Sequence, residues 1–187
     1  MLYSISLFLH ITGVLLLFSA VGIEWLCFVN MRRSESKETI CNWFNQTKIL
    51  KRLFPTASTL ILLTGIYMSI AVWKDAGWVI IGFIGLIAIA VSGGVISGKK
   101  IAAIETIANN DKDKPFKDIK DMVNDNFLWN SLMIRTAAGL GIVYIMTIKT
   151  DLVNSIIVMV IAVIAGYVFA KTVESTKGVE KAEMGEA

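Results

Sequence analysis

Three ionisable side chains interrupt stretches of sequence that are otherwise apolar, and they are the residues best suited to chemistry. His10 is the only histidine of the chain, and it shares the run Phe8–Val29 with Glu24. Arg135 lies in a second apolar run, Phe127–Ile148. A charge at the centre of a lipid bilayer costs about 2.5–3.5 kcal/mol on insertion scales, so such a residue usually has a partner or a function.

His10 is a candidate haem ligand, because a neutral imidazole is the usual axial ligand of haem iron. Counted from the expected helix ends at about 1.5 Å per residue, Tyr67 and Met68 lie at the depth of His10, and methionine is a known second ligand. These residues predict a site for haem b, with room for the flat macrocycle at Gly85, Gly139 and Gly141. The alternative is a structural histidine, hydrogen-bonded to Tyr67, Tyr144 or a backbone carbonyl.

Glu24 and Arg135 are predicted to form an ion pair within the inner half of the membrane. The helical rise puts Glu24 about 9 Å and Arg135 about 12 Å from the inner ends of their spans. Asn130 and Ser131 could complete the hydrogen bonds of the pair. Such a pair either fixes which helices meet or forms part of a proton or anion path. A Glu24 that reaches the membrane surface without a protein partner is a further alternative.

The composition is typical of a multi-pass membrane protein. Of the 187 residues, 55% are hydrophobic and 18% are charged, and the mean hydropathy is +0.66. An ordinary soluble domain is about 45–50% apolar and about 25% charged. We therefore expect an all-α integral membrane protein, a bundle of five transmembrane helices made of a four-helix core plus one. The spans lie near residues 4–30, 53–73, 78–98, 127–148 and 152–170, in a single transmembrane domain over residues 1–174 that precedes a polar cytoplasmic tail, residues 175–187.

The basic residues predict the orientation of these spans. Fifteen of the 18 Lys and Arg residues fall in the loops 31–52 and 99–126 or after the last predicted span, from Lys171 onward. The connections on the other side hold only Lys74 and Lys149. Because loops rich in Lys and Arg stay in the cytoplasm, we expect the N-terminus outside and the C-terminus inside, in the inner (cytoplasmic) membrane of a cell.

Two segments of the predicted cytoplasmic loops show the apolar spacing of amphipathic helices. They are Ser36–Arg52 and Pro115–Asn126. Such segments often lie along the inner leaflet of a membrane, where these two could contact anionic lipid or a protein partner. A solvated surface connector is the alternative.

Rows of small residues at four-residue spacing predict close packing between the spans. They are Ala90-Gly94-Gly98, Ala137-Gly141 and Ala162-Gly166-Ala170. Small side chains let membrane helices approach closely, so the rows favour contacts within one bundle. A homo-oligomer formed through these small-residue faces is the alternative.

Several other chemistries lack their motifs. Cys27 and Cys41 form no CxxC pair, and one histidine cannot complete a zinc-type cluster, so no separate metal site is expected. The sequence has no phosphate-binding Gly-rich loop, no HExxH motif and no GxSxG elbow. The net charge of +3 reflects membrane topology, and no nucleic-acid partner is predicted. An enzymatic activity is left open.

Two stretches of the sequence resemble a group of small membrane proteins. LFLHITGVLLLFSAVG, in the first span, is similar to the first span of the proteins around HemJ and CopD and of related integral membrane proteins without assigned function. RLFPTASTLILLTGIYM, from Arg52 to Met68, resembles their second span. The resemblance implies a membrane four-helix core, with haem binding in the HemJ type and copper handling in the CopD type. Only His10 matches the Leu-His position of these families.

Three functions therefore stand as hypotheses. The leading one is a haem-binding or quinone-linked redox membrane protein that uses His10. The first alternative is a small transporter or channel-like module in which Glu24 and Arg135 control the inner half of the path. The second is a membrane assembly subunit that binds partners through its cytoplasmic loops.

Overall fold

A computed structural model shows helices throughout the residues that it describes. These are residues 1–74, 76–110 and 115–185, with the backbone alone for residues 96, 105, 107–110 and 174–185. The α-helices of this part are α1 (Leu2–Arg33), α2 (Lys37–Gln46), α3 (Leu50–Val72), α4 (Gly77–Val91), α5 (Gly98–Asn110), α6 (Phe116–Val123), α7 (Asn126–Ile148) and α8 (Leu152–Gly185). A 3-10 turn (Thr47–Ile49) joins α2 to α3, and a π-helix (Ser92–Ser97) joins α4 to α5.

Five helical segments of the described chain are long and apolar enough to cross a membrane, as predicted. They are Leu2–Arg33, Lys37–Val72, Gly77–Ile104, Phe116–Ile148 and Leu152–Val173. Each is longer than the predicted span, because polar flanking residues are helical as well. The predicted tail, residues 175–187, is helical as far as Gly185, and its last two residues lie outside the described part.

The chain forms two compact units, which are described separately. Unit 1 consists of Met1–Ala76 and Lys99–Asn124, and unit 2 of Gly77–Gly98 and Asp125–Ala187. The chain therefore enters unit 2, returns to unit 1 through α5 and α6, and enters unit 2 again. The single domain predicted over residues 1–174 stays a prediction.

In unit 1, α1 packs antiparallel against α3. Gly13 of α1 lies so close to α3 that a Cβ there would be 2.9 Å from Ile61 Cγ1, whereas Ser6 lies near Thr64. Residue numbers thus rise along α1 as they fall along α3. The face of α1 predicted to point inward does so: Gly13, Ala20 and Glu24 are buried, and His10 and Leu17 are half-buried.

The two amphipathic helices form where the sequence predicts them, but their apolar faces are covered by protein. Ile40 and Phe44 of α2 and Ile119 and Val123 of α6 are all at most 3% exposed. Both helices contact α1. These four side chains pack against protein, and the contact of the two segments with an inner leaflet stays a prediction.

Two basic residues of unit 1 join α1 to α6 in what we term the reciprocal clamp. Lys120 Nζ of α6 donates to the carbonyl oxygens of Arg32, at 2.8 Å, and Ser34, where α1 ends. Arg32 Nη2 donates to the carbonyl oxygen of Asn124, at 3.0 Å, where α6 ends. The last carbonyls of a helix lack partners within the helix and carry partial negative charge, so each cation stabilises the end of the other helix.

In unit 2, α7 and α8 pack antiparallel through two of the predicted small-residue rows. A Cβ at Gly141 would lie 2.9 Å from Ala162 Cβ, and a Cβ at Gly166 would lie 2.9 Å from Ala137 Cβ. These rows therefore pack inside the unit, as the sequence favours. The third row differs, because no described atom lies within 4 Å of a Cβ at Gly94. Oligomerisation through that row stays a prediction.

Helix α4 completes unit 2 by packing against both α7 and α8. A Cβ at Gly82 would be 3.0 Å from Met146 Cε, and a Cβ at Gly85 would be 3.1 Å from Ile142 Cδ1. Glycine at these two positions lets the neighbouring side chains approach the backbone of α4. The π-helix that follows α4 contacts α7 as well.

Candidate functional site

His10 lies on the face of α1 that meets α3, and its imidazole is hydrogen-bonded to Thr64. The distance between His10 Nδ1 and Thr64 Oγ1 is 3.0 Å. Thr64 is buried, with 7% of its surface exposed, whereas His10 is half-buried. The antiparallel contact of the two helices therefore brings together residues that are 54 positions apart.

The hydrogen bonds of Thr64 determine which nitrogen of His10 carries the proton. The Thr64 hydroxyl donates to the carbonyl oxygen of Leu60 at 2.6 Å. Since a hydroxyl has one hydrogen, its oxygen accepts the hydrogen bond from His10 Nδ1–H. In a neutral imidazole, Nε2 then keeps the lone pair. Metal-bound histidines have this arrangement, in which the second ring N–H is held by a fixed acceptor.

Close packing holds the imidazole in place along α3. A Cβ at Gly65 would lie 3.3 Å from His10 Cε1, which is tighter than most Cβ contacts. One turn earlier on α1, the Ser6 hydroxyl points at the Thr64 carbonyl oxygen, 3.5 Å away. Within the apolar helix α3, Gly65 leaves space for the imidazole ring and Thr64 provides the polar group that it contacts.

Tyr67 and Met68, the other residues predicted for a haem site, lie on α3 within about one helical turn of Thr64. Tyr67 is 40% exposed, and Met68 is half-buried. The hydrogen bond predicted for a structural His10 exists: the imidazole is bonded to Thr64, and the backbone of Ile61 is a further hydrogen-bond partner, in line with the predicted backbone alternative. The depths estimated from the helical rise missed Thr64. An error of one helical turn, about 5.4 Å, is larger than the length of a hydrogen bond.

Two of the glycines predicted to make room for a macrocycle are covered by neighbouring side chains. A Cβ at Gly85 would meet Ile142 Cδ1 at 3.1 Å and Met159 Cε at 3.2 Å. Gly141 is buried against Ala162. The prediction of free space at these two glycines was wrong, because they serve the packing of α4, α7 and α8.

Glu24 is a buried carboxylate of unit 1. Only 6% of its surface is exposed, and Ala20 and Cys27 on the same face of α1 are 0% and 2% exposed. The side chain therefore does not extend to solvent. The alternative of a Glu24 that reaches the membrane surface would require such an extended side chain. An ionised carboxylate in such surroundings needs a hydrogen-bonding or charged partner.

Arg135 lies in unit 2, where its guanidinium packs against the π-helix. Its Nε donates to the carbonyl oxygen of Ser131 at 3.2 Å, and its Nη1 lies against Gly93. A side chain at Gly93 would collide with the guanidinium. The Ser131 hydroxyl shares a hydrogen bond of 3.0 Å with Ser97 Oγ. The sequence predicted Ser131 beside Arg135, but not the π-helix, which has no signature in the apolar pattern.

The Glu24–Arg135 ion pair stays a prediction. Glu24 belongs to unit 1 and Arg135 to unit 2, and each is described within its own unit. Glu24 lies among buried residues of α1, whereas Arg135 lies against Ser131 and Gly93. The burial that motivated the prediction is therefore present for Glu24, and Arg135 is half-buried.

No group of three or more His, Cys, Asp or Glu side chains that could hold a metal ion occurs among the described residues. Both cysteines are free thiols. A porphyrin supplies most of the iron ligands itself, so a single histidine such as His10 could serve as an axial ligand. No protein-family model, curated protein or solved structure matches this chain.

Proposed function

We propose that this chain is a multi-pass membrane protein that binds haem b through His10. The membrane location is supported by five helices of sufficient length and by their apolar surfaces. Large apolar side chains are widely exposed on α1, α4 and α8, for example Phe8 at 67%, Ile84 at 59% and Phe169 at 53%. A soluble protein rarely exposes apolar patches of this extent. The basic loops support an N-terminus outside and a C-terminus inside, in the inner membrane.

The observation that carries the haem proposal is the hydrogen bond from His10 Nδ1–H to Thr64. It leaves Nε2 as the nitrogen able to coordinate iron, with the ring orientation held by Thr64 and Gly65. A single axial histidine suffices for haem, as in globins and peroxidases. Met68 and Tyr67 are the nearby side chains of α3 that could contact the cofactor.

Bound haem would supply one-electron redox chemistry. The protein residues would contribute orientation and environment. Thr64 accepts the Nδ1–H bond and so keeps Nε2 free of its proton. The packing of α1 against α3 leaves the imidazole half-buried. A link to a membrane quinone is part of the same proposal.

An absorption spectrum of the full-length protein in detergent, after reconstitution with haem b, tests this proposal. A Soret band in the wild type that is lost in His10→Gln is expected. Ser19→Ala, which removes an exposed hydroxyl elsewhere on α1, is the matched control and should keep the band. A wild-type protein without a Soret band would sink the proposal, as would a band of equal strength in His10→Gln.

A second candidate function, a small transporter or channel-like module, is favoured by the buried Glu24. A carboxylate that is 6% exposed in a helix able to cross a membrane is a common feature of proton and ion paths. Flux into proteoliposomes is expected to fall in Glu24→Gln. Glu35→Gln, which changes an exposed carboxylate near the end of α1, should leave the flux unchanged. Equal flux in both variants would contradict this function.

A further inference from the structure

An exposed surface of three basic residues and one isoleucine lies where the second apolar helix begins. Lys48, Ile49, Lys51 and Arg52, which we call the Lys48–Arg52 face, are all exposed, Ile49 at 53%. Their spacing of one, three and four residues places them on one side of a helix. Leu50, between them in sequence, is 7% exposed and points the opposite way.

Two of the three positive charges of this face, those of Lys48 and Arg52, have no ion-pair partner among the described side chains. The sequence contains no Asp or Glu between Glu38 and Asp75, so no carboxylate lies within a helical turn of Lys48 or Arg52. The charged groups of Lys48 and Arg52 are therefore exposed and available to an external anion.

Another basic segment of unit 1, on α6, differs in its charge balance. On α6, Lys117 and Lys120 alternate with Asp118 and Asp121, which balances the charge. Lys120 is also engaged in the reciprocal clamp. The most buried apolar residues of α2 and α6, such as Ile40 and Ile119, are covered by protein. Among these segments, the Lys48–Arg52 face is the part that remains suited to an external anionic partner.

We propose that the Lys48–Arg52 face binds the anionic headgroup of a phospholipid. Lys and Arg near a membrane surface attract anionic headgroups, and arginine can hold a phosphate through two N–H groups. The exposed Ile49 favours a lipid over a free phosphate, because only a lipid offers apolar carbon beside its phosphate. The apolar residues that begin at Leu53 continue the helix toward the acyl chains. This inference rests on the membrane location proposed above, but not on haem.

Native mass spectrometry of the full-length protein in a neutral detergent tests this inference. The protein is titrated with phosphatidylglycerol or with phosphatidylcholine of the same acyl chains. The wild type is expected to retain phosphatidylglycerol in preference to phosphatidylcholine. In Lys48→Gln/Arg52→Gln, binding of phosphatidylglycerol should weaken on the order of tenfold, because two charges are removed.

Matched controls separate this site from effects of net charge and fold. Arg33→Gln/Lys117→Gln removes two exposed charges elsewhere in unit 1 and should retain the lipid. Equal weakening in both double variants, or equal retention of the two lipids by the wild type, would overturn the assignment. Competition by soluble glycerol phosphate at lipid-like concentrations would also overturn it, in favour of a free phosphate. A wild-type Soret band, or its absence, is independent of all these outcomes.

Discussion

At the scale of single residues, the contact of His10 with Thr64 makes the protonation of the imidazole a measurable property. The chain has one histidine, so the ring nitrogens give one pair of 15N resonances. Their chemical shifts distinguish the Nδ1–H from the Nε2–H tautomer. In the haem-free protein at about pH 8, where imidazole is ordinarily neutral, the Nδ1–H form is expected.

Replacing Thr64 by valine should remove the preference of His10 for the Nδ1–H tautomer. Thr64→Val keeps the shape of the side chain but deletes the hydroxyl that accepts from Nδ1–H. We expect the 15N spectrum to shift toward a mixture of tautomers. Thr64→Ser, which retains the hydroxyl, is the matched control and should preserve the wild-type spectrum. Identical spectra for the wild type and Thr64→Val would show that Thr64 does not select the tautomer.

The sequence identifies the ionisable residues of the candidate site but not their partners. His10 and Glu24 stand out because their types are costly in apolar helices. Thr64 does not stand out, because a threonine inside an apolar helix commonly bonds its own backbone, as its bond to Leu60 does. Its second bond depends on the register between α1 and α3, which the pattern of either helix alone does not determine.

At the scale of elements, the glycines of unit 2 allow a sharp test of helix packing. Gly166→Ala would place a Cβ 2.9 Å from both Ile134 Cα and the Met133 carbonyl oxygen, which are backbone atoms and cannot rotate away. We expect a loss of about 1–3 kcal/mol in the free energy of unfolding, measured by denaturant titration in detergent.

A glycine without neighbours is the control for this substitution. No described atom lies within 4 Å of a Cβ at Gly22. Gly22→Ala should be neutral or should stabilise the protein by up to about 1 kcal/mol, because alanine is the better helix former. A loss at Gly22 equal to that at Gly166 would contradict the close approach of α7 and α8.

The reciprocal clamp predicts that α6 is held to α1 by Lys120. Lys120→Gln removes a charged donor from the Arg32 and Ser34 carbonyls. The attachment of α6 should weaken by about 1–2 kcal/mol, which limited proteolysis within residues 115–124 measures as faster cleavage. Lys117→Gln, at an exposed position of the same helix, should leave cleavage unchanged. Equal rates in both variants would argue against the clamp.

The sequence predicts the elements better than their surroundings. The apolar spacing locates the start of α2 and both ends of α6 within a few residues, because periodicity is a property of the local sequence. The same spacing does not reveal whether lipid or protein covers Ile40 and Ile119, because transfer of these apolar side chains from water is favourable in either environment. The small-residue rows locate the α7–α8 contact for a similar reason, because each row is a spacing pattern within one helix.

At the scale of the whole molecule, the distribution of Lys and Arg predicts a topology that chemical labelling can test. In a background with Cys27→Ser and Cys41→Ser, single cysteines replace Lys74 or Lys149 on the predicted outer side and Arg33 or Lys117 on the inner side. A membrane-impermeant thiol reagent added to intact cells should label only the first pair. Labelling of the inner pair before permeabilisation would contradict the orientation.

The number of membrane-sized helices is the most predictable feature of the molecule. A span needs about 20 apolar residues whatever surrounds it, so composition alone located all five. The division into two units could not be predicted from composition. It depends on which helices contact each other, and segments distant in sequence, such as α1 and α6, belong to the same unit.

The clamp between Arg32 and Lys120 has a consequence for the order in which the protein is made. Unit 1 lacks its last helix until residue 123 has left the ribosome, and by then α4 of unit 2 has already been synthesised. The two units therefore cannot mature strictly one after the other during translation, although domains of many proteins do so. A nascent chain stalled after Gly98 would hold the first three apolar helices yet leave the carbonyls at the end of α1 without the lysine that later closes them.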